Sequence, residues 1–236
     1  MLKKIFISLS VMMNVVVIAS VVYFSTGGAA SFFRKNFIQP GHERWVSQFE
    51  IFPVKAGETV FLGDSITEFG AWDELFPNTN VRNRGIGGDV TMGVLARLAQ
   101  VTRGKPEQVF LLIGTNDLAF GVKESQIIAN IKEIVERIDI ESPGTHVYVQ
   151  SILPRGADYR ERVESLNQKL EAALKGEATW VNIYPHLLNQ QDGSIANQFS
   201  NDELHLMGDG YLVWREQIID LVNKIEGRNT GDTDKI

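Results

Sequence analysis

The chain has 236 residues, 44% of them hydrophobic and 22% charged, with a formal net charge of −6 at pH 7. That length fits one globular domain of about 180–200 residues plus an additional segment. The absence of cysteine excludes disulfides, thiolate catalysis and cysteine metal sites, and the acidic balance offers no clustered basic surface for a nucleic acid.

The first element is an almost uniformly apolar run from Ile5 to Phe24, interrupted mainly by Ser8, Ser10, Asn14 and Ser20. At about 1.5 Å per residue, such a helix roughly matches a hydrocarbon core of about 30 Å. Lys3 and Lys4 precede it and no acidic residue appears before Glu43, a polarity that predicts a cytoplasmic N-terminus. Residues 1–24 are therefore expected to form a transmembrane helix, a signal anchor that attaches the chain to the membrane through residues 5–24. The rest of the chain would then be periplasmic or extracellular. The alternatives are a signal peptide cleaved near Gly28-Ala29-Ala30, which would release a secreted domain, and a buried N-terminal helix.

Residues 25–57 read as a connector, broken at Ser25-Thr26-Gly27-Gly28 and punctuated by Pro40-Gly41 and Pro53. Phe32, Phe33, Phe37 and Trp45 are too apolar for a purely flexible linker, so part of it should pack on the domain or lie at the membrane surface. The domain itself is expected over 58–228, with a polar, frayed tail at 229–236. Short apolar runs predict strands at Thr59–Gly63, Gln108–Ile113, His146–Ser151 and Thr179–Ile183, with a weaker one at Asn80–Arg84. Between and after them lie helical stripes: Val90, Val94, Leu98 and Val101; Ile127, Ile128, Ile131, Ile134, Val135 and Ile138; Val163, Leu166, Leu170 and Leu174; Trp214, Ile218, Leu221 and Ile225. This alternation predicts an α/β fold with a largely parallel sheet covered on both faces. In such a sheet ligands bind at the carboxyl ends of the strands.

Gly63-Asp64-Ser65 directly follows the first strand, which puts Ser65 at that carboxyl edge. A serine hydroxyl becomes a nucleophile only beside a base; the alternative is that Ser65 caps the next helix. Of the four histidines, only His205 has an acid three residues before it, Asp202. A carboxylate there would fix the imidazole tautomer and stabilise the imidazolium; otherwise His205 is a solvated loop residue. Gly85-Ile86-Gly87-Gly88-Asp89 and Gly114-Thr115-Asn116-Asp117 follow two further strands. Their backbone N–H groups and the Asn116 amide are suitable oxyanion donors, although turn chemistry alone also selects such residues. All four features fall on one rim of one sheet. The dinucleotide fingerprint fails because its third glycine would fall at Val90, no Walker A segment is present, and the histidines and carboxylates show no metal spacing. No cofactor, metal or nucleic-acid partner is expected.

Together these residues resemble the SGNH (GDSL-type) hydrolase family. Gly63-Asp64-Ser65-Ile66 matches its serine block, Asn83 to Asp89 its glycine block, Gly114 to Asp117 its asparagine block, and Asp202-x-x-His205 its histidine block, in family order. Within it, Gly85-Ile86-Gly87-Gly88-Asp89 and Leu153-Pro154-Arg155-Gly156 are similar to the platelet-activating-factor acetylhydrolase catalytic subunits and their bacterial relatives. The resemblance implies a flavodoxin-like α/β/α sandwich on a five-stranded parallel sheet, with a shallow site. It also implies a serine esterase with Ser65 as nucleophile, His205 as base, Asp202 as orienting acid, and Ser65, Gly88 and Asn116 as the oxyanion hole. The substrate would be a small ester, or an acylated glycan or lipid, with a short acyl group preferred. O-acetyl transfer to a glycan by the same residues, or a membrane-tethered binding module without turnover, are the rival readings. Trp72, Leu75, Phe76, Phe120 and Tyr159 are candidates for an acyl pocket, with core packing as their alternative.

Overall fold

The computed structural model describes residues 2–25, 27, 32 and 34–224. The chain divides into two compact units, Met1–Arg44 and Trp45–Ile236. In the first, helix α1 spans Leu2–Ser25 and a π-helical turn covers Arg34–Ile38. The expected transmembrane helix is corrected here. Residues 2–25 are helical, but among the described residues no helix is long and apolar enough to cross a membrane. Ser10, Asn14 and Ser20 interrupt the run inside the roughly 20 predominantly apolar residues that a span requires. The membrane contact assigned to residues 5–24 loses its basis with it. Gly28-Ala29-Ala30, Phe33, Ile225 and the tail at 229–236 lie outside the described residues.

Helix α2, Gln39–Ile51, ends in the second unit. Its last turns carry Phe49, which is buried beneath the Arg84 guanidinium at 4.4 Å from the ring centroid. Beyond it come β1 (Thr59–Gly63), α3 (Ser65–Glu68), α4 (Trp72–Leu75), β2 (Val81–Gly85), α5 (Thr91–Arg97), α6 (Ala99–Thr102), β3 (Gln108–Leu112) and α7 (Thr115–Ala119). Then follow α8 (Glu124–Glu141), β4 (His146–Gln150), α9 (Arg160–Ala173), β5 (Thr179–Val181), α10 (Tyr184–Leu187) and α11 (Gly208–Asn223).

The five strands form one sheet in the order β2-β1-β3-β4-β5, and every neighbouring pair is parallel. This is the flavodoxin-like order, with its switch point between β1 and β3. Strand side chains alternate between faces, and the two faces feed separate cores. Val60, Leu62, Val109, Leu111 and Val149 pack with the stripes of α5, α8 and α9. Phe61, Phe110, Leu112 and Tyr148 pack with Trp72 of α4, Phe76 just after it, and Trp214 and Ile218 of α11. Phe61 stacks on Trp72 with ring centroids 3.9 Å apart, and Trp72 meets Trp214 edge-on at 4.8 Å. A sheet apolar on both faces needs helices on both, and the result is an α/β/α sandwich.

The helix expected from Val90 to Val101 is divided at Leu98 into α5 and α6. The helices α3, α4, α7 and α10 each have four or five residues, too few to show a period in the sequence. Two of them, α3 and α7, begin where β1 and β3 end, on either side of the switch point.

Candidate active site

Strand β1 runs straight into α3. Gly63 tolerates no side chain here, because a Cβ would lie 2.3 Å from both the Leu112 carbonyl oxygen and Thr67 Oγ1. Asp64 is the N-cap of α3: its Oδ1 accepts a hydrogen bond from the Ile66 amide at 3.0 Å. The cap therefore belongs to Asp64, and the Ser65 hydroxyl is available for another partner. That partner is His205, whose Nε2 lies 2.9 Å from Ser65 Oγ.

The Asp202–His205 loop is folded by its own aspartate. Asp202 Oδ1 accepts from the amides of Leu204 at 3.0 Å and His205 at 2.8 Å, with Glu203 between them at φ +61°. This local turn brings the second oxygen, Oδ2, to 2.6 Å from His205 Nδ1. Partial burial raises the Asp202 pKa, but hydrogen bonds from the His205 ring and from the His205 and Leu204 amides outweigh it and hold the carboxyl at about 2. An ionised carboxylate only accepts, so Nδ1 carries the proton and Nε2 presents its lone pair to Ser65. Phe69, exposed at the end of α3, lies against the imidazole with centroids 5.2 Å apart.

The glycine segment continues β2 along β1, with the Ile86 amide donating to the Gly63 carbonyl at 3.1 Å. It then turns sharply. The Asp89 amide donates to the Ile86 carbonyl at 3.1 Å, and Gly88 sits at φ +73°, a left-handed conformation that favours glycine at the third position of the turn. The turn lies beside Ser65: a Cβ added at Gly87 would be 4.0 Å from Ser65 Cβ. Asn116, in the first turn of α7, donates from Nδ2 to the Asp89 carbonyl at 2.9 Å. A primary amide has two N–H groups, so this bond aims the side chain and leaves a second donor.

Two buried carboxylates hold these segments together. Asp89 Oδ2 accepts from Arg97 Nε at 2.8 Å, and Arg97 Nη2 donates to the Gly63 carbonyl at 3.0 Å. The guanidinium thus ties the end of β1 to the glycine turn. Asp117 Oδ1 accepts from Thr91 Oγ1 at 2.6 Å and Oδ2 from the Thr91 amide at 3.0 Å, which joins α7 to the start of α5.

Asp64 itself is fully buried. Burial pushes its carboxyl up to about 7, opposed by the Ile66 amide and reinforced by the nearby Asp89 and Asp117. The folded chain therefore holds a proton there that the unfolded chain releases near 3.8. Stability from this group is full below about 4 and is lost as the pH rises through about 7. Asp64→Asn is expected to flatten the fall in melting temperature across that window relative to the unsubstituted chain. Parallel pH–melting curves for the two proteins would refute it.

Ser65, Gly88, Asn116, Asp202 and His205 thus come together on one rim. Of the candidates for an acyl pocket, Trp72 and Phe76 are core residues, and Leu75 packs partly buried against the same cluster. Tyr159 lies against the guanidinium groups of Arg155 and Arg162, at 3.8 and 5.3 Å from its ring centroid. Phe120 is exposed. Sequence reasoning missed Phe69, Glu68 and Arg97. Only Arg97 carried a signal, as a charge set among the apolar positions Val94, Leu98 and Val101. Among the described residues no group of three or more His, Asp or Glu side chains is arranged to hold a metal ion.

The sequence model of the GDSL-like Lipase/Acylhydrolase family matches residues 61–213. The human protein named platelet-activating factor acetylhydrolase IB subunit alpha1 is 34% identical over 186 residues, covering 72% of this chain and 79% of that protein. The human alpha2 subunit is 31% identical over 195 residues, covering 72% and 80%. The structure of a GDSL-like lipase from Bacteroides thetaiotaomicron has the same fold, with a TM-score of 0.69 at 24% identity over 78% of this chain and 97% of that one.

Proposed function

Since the chain belongs to the GDSL-like lipase/acylhydrolase family and is an ester-bond hydrolase, we propose that it works through Ser65, His205 and Asp202 by way of an acyl-enzyme. The observation that carries this reading is the continuous hydrogen-bonded chain from Asp202 Oδ2 through the imidazole to Ser65 Oγ.

In the first half-reaction Ser65 Oγ bonds to the ester carbonyl carbon while its proton passes to His205 Nε2. The carbonyl π pair moves onto oxygen, and the N–H groups of Ser65 and Gly88 and the Asn116 amide receive that charge. Collapse of the adduct breaks the bond to the alcohol oxygen, which leaves with the proton from Nε2. In the second half-reaction water repeats the sequence: its proton goes to Nε2, the acid departs and Ser65 Oγ recovers a proton. Asp202 remains ionised throughout and stabilises the imidazolium. The relatives named acetylhydrolases support a short acyl group on the substrate.

Labelling with a fluorophosphonate tests the nucleophile directly. The probe is expected to modify the native protein once, on the peptide that carries Ser65, and to leave His205→Ala unmodified on the same timescale. An active protein that hydrolyses p-nitrophenyl acetate but takes the label at another residue would sink the assignment.

A further inference from the structure

We propose that Glu68 and Trp45 are positioning residues for the oxyanion turn, acting as a brace that starts outside the segment matched by the family. Glu68 is the last residue of α3, three positions after Ser65. Its two carboxylate oxygens take two different donors: Oε2 accepts from the Gly87 backbone N–H, and Oε1 accepts from the Trp45 indole Nε1–H at 2.6 Å. The first bond ties the glycine turn to the helix that carries the nucleophile. With the Gly87 N–H committed to Glu68, the next amide in the turn, that of Gly88, has a fixed direction relative to Ser65. The second bond fixes the carboxylate itself.

Trp45 belongs to α2, ahead of residue 61, where the family match begins. Its ring is stacked on Phe49 with centroids 5.5 Å apart and an interplanar angle of 28°. Phe49 lies under Arg84, whose Nη2 donates to the Phe52 carbonyl at 2.6 Å and whose Nη1 donates to the Asn83 carbonyl at 2.8 Å. Arg84 stands on β2, one residue before that strand ends at Gly85. The end of α2 therefore grips the approach to the turn through Arg84 and the turn itself through Glu68. Neither Glu68 nor Trp45 needs to touch the reacting atoms for this; the effect passes through the Gly87–Gly88 backbone. A carboxylate suits the position because it is acceptor-only on both oxygens. An amide there would turn an NH₂ group toward one of the two donors.

This inference rests on the oxyanion role of Gly88, and the test separates the two. With p-nitrophenyl acetate, Glu68→Gln is expected to lower kcat about 10-fold with KM nearly unchanged, because a misdirected oxyanion donor is felt in the transition state. Trp45→Phe keeps the ring on Phe49 and deletes only the N–H, and a kcat loss of about 3-fold or more is expected. The double variant should be no slower than Glu68→Gln alone, since Trp45 acts through Glu68. Folded single variants with unchanged kcat, or losses that multiply in the double variant, overturn the proposal. Should Glu68→Gln fail to fold, Trp45→Phe decides by itself. Ser65→Ala in the same assay is the control: turnover in that variant refutes the underlying mechanism. An inactive Ser65→Ala beside unimpaired Trp45→Phe and Glu68→Gln refutes the brace alone.

Discussion

Ser65→Ala and His205→Ala are each expected to reduce kcat for p-nitrophenyl acetate by roughly 10⁴- to 10⁶-fold, the range seen when a member of a hydrolase triad is removed. The two losses should be similar and should not multiply in the double variant, because Ser65 Oγ and His205 Nε2 act as one unit across a single 2.9 Å contact. Folding should survive. Ser65→Ala deletes one part-buried hydrogen bond, worth about 1 kcal/mol, while the cap of α3 rests on Asp64 and remains. Asp202→Asn is expected to cost less than His205→Ala, since the base is retained with poorer orientation. Its amide nitrogen would face Nδ1 and favour the tautomer whose proton points at Ser65. The Asp202 side chain is 48% exposed, so water can partly replace it at Nδ1. Steady-state kinetics on the three variants, with thermal melts as folding controls, would check the order. Negligible losses for both Asp202→Asn and His205→Ala would remove the pair from the mechanism.

The parts of this site that a sequence shows are those set by local chain chemistry. Four apolar runs of strand length reappear as strands, because a parallel sheet buried on both faces needs side chains such as Val60, Phe61 and Leu62 in unbroken succession; the weaker, polar candidate near residue 80 reappears as the edge strand β2. Glycines at 85, 87 and 88 and the Asp202-x-x-His205 spacing are equally local. The turn at Gly88 and the Asp202 carboxylate folding back on its own loop are geometries of four consecutive residues. The braces are not local. Glu68 with Trp45 and Arg97 with Gly63 join residues 23 and 34 positions apart, and nothing in their composition announces the pairing. The N-terminal run shows the opposite failure. An apolar segment of suitable length, with Ser8, Ser10, Asn14 and Ser20 as its interruptions, reads as a membrane span, yet among the described residues no helix is long and apolar enough to cross a membrane. Four-residue helices such as α3 fall below any periodic signal, so the element that carries Ser65 is marked in the sequence only by a strand end and a possible cap.

Asn116→Ala is expected to lower kcat by about 10²- to 10³-fold with little change in KM, the effect of losing one oxyanion donor. The ester carbonyl in the ground state is a weaker acceptor than the alkoxide of the tetrahedral adduct, so a donor aimed at the latter is expressed in kcat. The structure adds a complication that the assay can separate. Asn116 Nδ2 also donates to the Asp89 carbonyl, so truncation removes that bond as well and should lower stability by about 1 kcal/mol. Asn116→Asp keeps the shape but removes both donors and opposes the Asp89 carbonyl with a carboxylate, so it should be at least as slow as Asn116→Ala. A residue that only held Asp89 in place would shift the melting temperature and leave kcat within a few-fold. One that holds the oxyanion shifts kcat far more than a 1 kcal/mol structural loss accounts for, since each factor of ten requires about 1.4 kcal/mol of transition-state stabilisation. The ratio of the two effects, rather than either alone, assigns Asn116 to the transition state.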